Sequence, residues 1–414
     1  MKKTFFSYSF GCRVNQAEKE SLDQQLYHYG FISDSHSPAI YIINTCAVTA
    51  KAEREARQLI YQLKRKNPKA KIIVTGCSAT YWLKKHLTLP EADLYLDNKH
   101  KARLADQIVQ GYFPIGKYLA SSRLLVKIQD GCNRFCTYCI TAYLRGKPKS
   151  KPIKAILEQI KPLSGQVKEL ILTAINTEAY GQDTGENLVE LTKILINNTN
   201  IPRISFGSIH PWGVNKQFLA FYKRYLHKKR LVNFFHVPLQ SGSDKILKLM
   251  KRGYTSEKFL DQLKKIKKIN PYAFIATDVI VGFLGETDKE FQKTVNFLKK
   301  APISRFHIFR FSNRPNTAAF FMKNKIKEPT NQEKIKRAKV LAQLGKQKYL
   351  VFLKKNFGRT SSALFLVKKV EEYQMALLDN QLPILVKTNK NLAGQIKNVK
   401  ILSVKNNCLI GKLI

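Results

Sequence analysis

Gly131-Cys132-Asn133-Arg134-Phe135-Cys136-Thr137-Tyr138-Cys139 carries three cysteines at C-x3-C-x2-C spacing, just after an apolar stretch at 124–128. A strand that runs into a turn-rich loop places all three thiols at its C-terminal end. Thiolates are soft ligands that suit zinc or iron–sulfur clusters. A structural zinc site closes with four protein ligands, and no fourth Cys or His stands nearby in the sequence. A four-iron cluster usually takes four cysteines. Three hold three irons and leave the fourth open to a substrate or cofactor. The bland alternative, three unrelated buried thiols, suits this tight spacing poorly.

Around this loop, residues from about 123 to 350 alternate strands with amphipathic helices. Apolar strands are predicted at 124–129, 169–173, 203–207, 234–237, 276–282 and 305–311. Helices are predicted at 154–161, 187–196, 243–250, 256–269 and 288–298. Six β/α units predict an open, partial TIM-type barrel, whose chemistry gathers at the C-terminal strand ends. The cysteine loop lies just past the first strand.

Upstream, residues 1–118 read as an α/β domain. Strands at 4–9, 41–43 and 71–74 alternate with helices at 16–29 and 50–66, the second halted by Asn67-Pro68. That alternation predicts a parallel sheet. Cys12, Cys46 and Cys77 each follow a strand's C-terminal end, the edge where open α/β sheets bind ligands. They can therefore converge on a second cluster although 34 and 31 residues separate them. Singly, each would be a packed core thiol. A linker is expected at 111–122. The barrel region, 119–355, ends in a lysine-rich helix at 333–355 that reads as a connector. The tail, 356–414, carries short β segments at 363–368, 376–378, 382–387, 395–404 and 408–413, with turns at Asp379-Asn380 and Asn406-Asn407. That pattern predicts a small barrel, of a kind that binds single-stranded RNA on one face, or a stabilising appendage. Cys408 reads as a packed thiol.

The chain has 414 residues, enough for two or three domains. Its net charge of +43, from 72 basic and 29 acidic residues, points to a nucleic-acid partner. Lysine is spread through most segments, so part of that charge is a solvated surface. RNA affinity is expected to fall steeply with salt. No apolar run approaches the roughly 18 residues of a spanning helix, so no membrane partner is expected. The N-terminus lacks a signal-peptide core. The expected location is cytoplasmic, where thiols stay reduced, and seven cysteines there read as metal or redox chemistry.

The cysteine loop resembles the radical S-adenosylmethionine (SAM) enzymes. Gly11-Cys12-Arg13-Val14-Asn15-Gln16, Asn44-Thr45-Cys46, Val74-Thr75-Gly76-Cys77 and Ile128-Gln129-Asp130-Gly131-Cys132-Asn133 resemble the methylthiotransferase family within them. So do the stretch from His236 to Asp244, Thr277-Asp278-Val279-Ile280-Val281-Gly282-Phe283 and Phe311-Ser312-Asn313-Arg314-Pro315. The resemblance runs from about residue 4 to the end and is weakest in the tail. It implies an N-terminal α/β domain, a radical SAM barrel and a C-terminal TRAM-like barrel. The first and fourth motifs are similar to the branch acting on N6-threonylcarbamoyladenosine at tRNA position 37, beside the anticodon. The isopentenyladenosine branch carries other residues there.

The resemblance implies two 4Fe–4S clusters. Cys132, Cys136 and Cys139 would hold the SAM-binding one, and Cys12, Cys46 and Cys77 the auxiliary one. SAM cleavage would generate a radical that takes the C2 hydrogen of the adenine, and sulfur and methyl would follow. An adenine C–H is inert to side-chain acids and bases, so the cofactors carry the hard chemistry. A flavodoxin- or ferredoxin-type electron donor and a sulfur donor are implied partners. Tyr138, Asn176, Gln240, Ser241, Asp278 and Gly282 are candidates for SAM contact. Glu286 is either a SAM ligand or a helix cap. Arg145, Lys147 and Arg314 are candidates for phosphates or the threonyl carboxylate.

The chain departs from the family pattern at Ala142, Ala174, Leu284 and Asn316, where proline, glycine, proline and glycine are usual. His210 stands where an acid is usual and is expected to be packed or solvent-facing. Two other readings stay open. One is a different radical SAM enzyme acting on RNA; the other is a basic RNA-binding protein whose cysteines hold zinc. Removing residues 358–414 is expected to weaken tRNA binding and spare SAM cleavage.

Overall fold

In a computed structural model of the chain, residues 3–101, 104–108 and 121–414 are described. The linker expected at 111–122 and the boundary at 118–119 lie almost wholly outside them. The first layer is a parallel sheet. Strands β1 (Thr4–Ser9), β2 (Ile32–Ser33), β3 (Ile40–Thr45), β4 (Lys71–Gly76) and β5 (Leu94–Leu96) line up in the order β2-β1-β3-β4-β5. All six residues of β3, Ile-Tyr-Ile-Ile-Asn-Thr, are buried. Such a run has both faces covered, as parallel strands flanked by helices do. The chain moves from β1 outward to β2, then crosses back to β3. The gap between β1 and β3 is therefore a topological switch point, where such sheets open a ligand crevice.

The helix expected at 16–29 begins earlier, at Arg13, and ends at His28. Cys12 occupies its N-cap, and Cys77 opens another helix, Cys77–Lys85. Sequence periodicity missed that second helix and the two- and three-residue strands β2 and β5.

The central region is the predicted open barrel. Strands β6 (Arg123–Asp130), β8 (Glu169–Ala174) and β9 (Arg203–Phe206) are parallel neighbours, with β7 (Lys149–Ser150) antiparallel at the edge of β6. Strands β10 (Phe234–His236), β11 (Phe274–Val281) and β12 (Arg305–Arg310) form a second parallel set. A parallel bridge between Ile204 and Leu231 joins the two sets. Helices cover the outer face, where Val126, Leu172, Ile204, Phe235, Ile275 and Val279 pack against them. Alternate residues along each strand point into the lumen.

The helix Asn331–Lys355 is more than a connector. Its N-terminus carries a capping box between Thr330 and Glu333. Leu341 packs into the barrel core, and Arg337 donates to Glu286 Oε2 at 3.0 Å.

The tail closes into a barrel from β13 (Thr360–Val370), β14 (Tyr373–Leu378), β15 (Pro383–Lys387), β16 (Ile396–Lys405) and β17 (Cys408–Leu413). Closure removes the sheet edges that would otherwise seek partners. Cys408 lies in β17 with its Sγ 3.6 Å from Pro383 O. The core of this barrel is continuous with lumen residues of the central one: Val232, Phe234, Phe274 and Ala276 pack with Phe365, Leu382 and Ile384. Arg203, 3% exposed, donates to Leu377 O and Ser362 O at 2.8 Å. The tail therefore floors the central barrel. Removing 358–414 would bare this core at roughly 1.5–3 kcal/mol per large side chain. The truncated chain should melt at a clearly lower temperature and aggregate, losing SAM cleavage along with RNA binding. A truncated chain that melts and cleaves SAM like the full one would refute this.

Candidate cluster and substrate site

β1, β3 and β4 are neighbours, so their C-terminal ends lie together. In register, Thr45 pairs with Gly76, which sets Cys46 beside Cys77. Ser9 pairs with Asn44, bringing Cys12 to the same edge. A Cβ on Gly11 would collide with the Cys46 Sγ, and Gly11 has φ +87°, so glycine is required there. Burial, with the neighbouring Cys77 and Cys12, pushes the Cys46 thiol up to about 12. Mutual repulsion of this kind marks thiols that face one another. Cys12 and Cys77 also sit at helix N-termini, and burial pushes the Cys12 thiol up.

The Cys132–Cys139 loop is held from several sides. Gln129 Nε2 donates to Gly131 O at 2.9 Å, while its Oε1 accepts from Asn176 N at 3.0 Å. Thr137 Oγ1 donates to Leu249 O at 2.8 Å, and Ala319 N donates to Thr137 O at 2.8 Å. Arg252, 3% exposed, directs Nη1 at Cys136 Sγ and at the Tyr138 hydroxyl, each at 3.3 Å. Trp212 lies between Arg134 and Arg252, with guanidinium carbons 4.1 and 4.8 Å from its ring. Burial pushes the Cys139 thiol up to about 11. Arg252 and Trp212 escaped sequence reasoning, because lone Arg and Trp residues outside a metal spacing carry no signal.

One wall joins the two cysteine sets. Ile140 and Leu144, directly after Cys139, pack in the same core as Ala47, Cys77 and Tyr81. Within that wall lies Arg145, whose side chain is 1% exposed. Its Nη1 donates to Glu18 Oε1 and Asp130 Oδ1 at 2.9 Å, and its Nη2 donates to Asn15 Oδ1 at 2.8 Å. Lys101 and Lys127 complete the cluster on Glu18, at 2.6 and 2.8 Å. Burial pushes the Glu18 carboxyl up, but Lys101, Arg145 and Lys127 outweigh it and hold it well below the usual range. Arg145 is thus committed between the domains and does not reach out to RNA. Arg314 is similarly buried and pairs with Glu53 across the same boundary. Lys147 is exposed beside the loop.

The other expected contacts separate into two groups. Asn176 is 1% exposed and its Oδ1 has no protein partner, as expected of a group that meets a ligand. Asp278 lines the lumen. Gln240 has φ +76° and its backbone bridges β11. Ser241, by contrast, is fully buried against Thr294 Oγ1 at 3.2 Å. Glu286 is not the cap of the next helix, which Thr287 provides; its Oε2 accepts from Gly282 N at 2.6 Å and from Arg337. Gly282 is closely packed under the Lys334 side chain. Tyr138 packs near Phe283, Leu284 and Phe311, so the leucine at 284 fills a core. Asn316 keeps the left-handed backbone of a glycine position, φ +66°, which asparagine tolerates.

The donor set fits iron–sulfur clusters better than zinc. Sulfurs on one zinc, at about 2.3 Å each, stand about 4 Å apart. Among the described residues neither cysteine triplet closes within 4.8 Å, as ligands of one zinc would, and an all-thiol set is the donor chemistry of an iron–sulfur cluster.

A partial barrel with three cysteines after its first strand defines a radical SAM protein, and residues 126–298 match the Radical SAM superfamily. Residues 4–97 match a family described as Uncharacterized protein family UPF0004. The chain is 37% identical over 380 residues to the threonylcarbamoyladenosine tRNA methylthiotransferase MtaB of Aquifex aeolicus, covering 86% of this chain and 91% of that one. It is 34% identical to the MtaB of Chlamydia pneumoniae over 100% of this chain and 99% of that one. A tRNA-2-methylthio-N(6)-dimethylallyladenosine synthase of Thermodesulfovibrio yellowstonii is 33% identical over 98% and 97%. The radical SAM methyltransferase TsrM of Kitasatospora setae, solved with cobalamin and a 4Fe–4S cluster, shares the fold at TM-score 0.53 and 12% identity, covering 77% of each chain. The chain belongs to the MtaB-type methylthiotransferase family. No helix among the described residues is long and apolar enough to cross a membrane.

Proposed function

We propose that this chain converts N6-threonylcarbamoyladenosine, beside the tRNA anticodon, to its 2-methylthio derivative. Cys132, Cys136 and Cys139 hold the SAM-binding cluster in this reading, and Cys12, Cys46 and Cys77 the auxiliary one. The observation that carries it is the register that sets Cys46 beside Cys77, with Cys12 at the same edge and one wall shared with the second loop. When bound, the two clusters and SAM supply the radical that removes the C2 hydrogen and the sulfur that replaces it.

The protein's own residues then orient and exclude water. Gln129 and Thr137 fix the loop, and Arg252 sets a positive charge against Cys136. Asn176 offers an unpartnered oxygen to SAM or base. Exposed Lys368, Lys369, Lys397 and Lys405 on β13 and β16 offer the RNA backbone a basic face. A flavodoxin- or ferredoxin-type donor and a sulfur donor complete the reaction. Relatives named for threonylcarbamoyladenosine, at 31–37% identity, favour that substrate.

Mass spectrometry of tRNA nucleosides tests the reading. A host strain making only N6-threonylcarbamoyladenosine should gain its 2-methylthio form when this chain is expressed with its clusters. Appearance of the 2-methylthio form of isopentenyladenosine alone would move the chain to the other branch.

A further inference from the structure

Inside the central barrel, on strands that carry none of the cysteines, two imidazoles converge on one carboxylate. His236 Nε2 lies 2.7 Å from Asp278 Oδ1, and His307 Nδ1 lies 3.2 Å from the same oxygen. One ligand atom from each residue falls within 4.8 Å of the other two. The strands explain the meeting. β10, β11 and β12 are adjacent and parallel, Asp278 pairs directly with His307, and His236 pairs with Ala276, two residues before Asp278. All three side chains therefore point to the lumen face, at nearly one level. The His rings stand 5.0 Å apart at 71°, with their edges free to aim at a common point. Their side chains are 17, 19 and 36% exposed, so the site is open on one side.

We propose that His236, Asp278 and His307 form a mononuclear site for a divalent transition metal of the zinc or iron(II) class, separate from both clusters. Two neutral imidazoles and one carboxylate suit such ions and leave open positions for water or a substrate oxygen. Bonds of about 2.0–2.1 Å place the ligand atoms about 3.3 Å apart, and the observed 2.7 and 3.2 Å need only small adjustments. An ordinary structural His–Asp bond needs one ring; here two converge on one oxygen. A further imidazole adjoins them. His210 follows β9 next to His236, where Ile209 N donates to His236 O at 2.9 Å, and its buried Nδ1 has no protein partner.

Zinc itself is the probe. Full-length protein is reconstituted anaerobically with iron and sulfide, incubated with zinc chloride, desalted, and analysed for both metals. About one zinc per chain should remain, with iron at its cluster level of about eight. Zinc retention should fall at least tenfold in His307→Ala and in Asp278→Asn, while iron stays unchanged. His307→Ala alters the most exposed of the three residues and keeps the test valid if Asp278→Asn fails to fold. Zinc that is not retained, or is retained equally by both variants, overturns the proposal. Iron content and SAM cleavage report separately on the clusters, so failure of this site and failure of the two-cluster reading give different results.

Discussion

Cys46→Ala should abolish the methylthio product and leave reductive SAM cleavage standing. Cys46 is 3% exposed and lies beside Cys77. The change removes one sulfur and little volume, and the neighbouring Ser78 hydroxyl still donates to the residue-46 carbonyl at 2.6 Å. The fold should therefore survive. Iron should fall from about eight to about four per chain, and tRNA should return unmodified at C2. Cys136→Ala should remove cleavage and product together, because it breaks the loop that Arg252 supports. Anaerobic iron analysis, 5′-deoxyadenosine assay and nucleoside mass spectrometry read all three quantities. If Cys46→Ala loses cleavage as fully as Cys136→Ala, the two triplets do not have separate roles.

Arg145→Met should be the most damaging single change outside the cysteines. It strips the main cation from Asp130 and one of three cations from Glu18, at a domain boundary where Glu18 is buried. Breaking one side of a buried pair costs about 3–5 kcal/mol. Lys101 and Lys127 stay on Glu18, so the lower end is expected. The pH dependence has a definite sign. A carboxyl held below its unfolded value contributes stability that is complete above about pH 4.3 and is lost as pH falls through the folded value. With Arg145 gone, Glu18 is held less far below its unfolded value, so the variant has less stability left to lose below about pH 4.3 and its deficit against the parent narrows as pH falls. Urea titrations between about pH 3 and 7 measure both effects. Equal midpoints for parent and variant at neutral pH would show that the ion cluster does not hold the domains together.

Much of this was legible in the sequence because it depended on period and spacing. The six central strands fall within a few residues of their expected bounds, and the three scattered cysteines meet because β1, β3 and β4 are neighbours. What could not be read depended on partners far away in sequence. Arg145 looked like a surface cation until Glu18, 127 residues earlier, was seen to claim it. Glu286 looked like a ligand or a cap, and the Arg337 that pairs with it is supplied by a helix that read as a connector. His236 opens one of the family-like stretches, but His307 stands in none, and nothing in the sequence ties the two together. Only strand register places them on one carboxylate.

The tail beneath the barrel also has a kinetic consequence. Since Phe234 and Phe274 pack into the tail core, the barrel is closed at that end. On the proposed function, a base that enters the barrel leaves by the opposite, cysteine-bearing end, where it came in. On the same reading, added product RNA should compete directly with substrate.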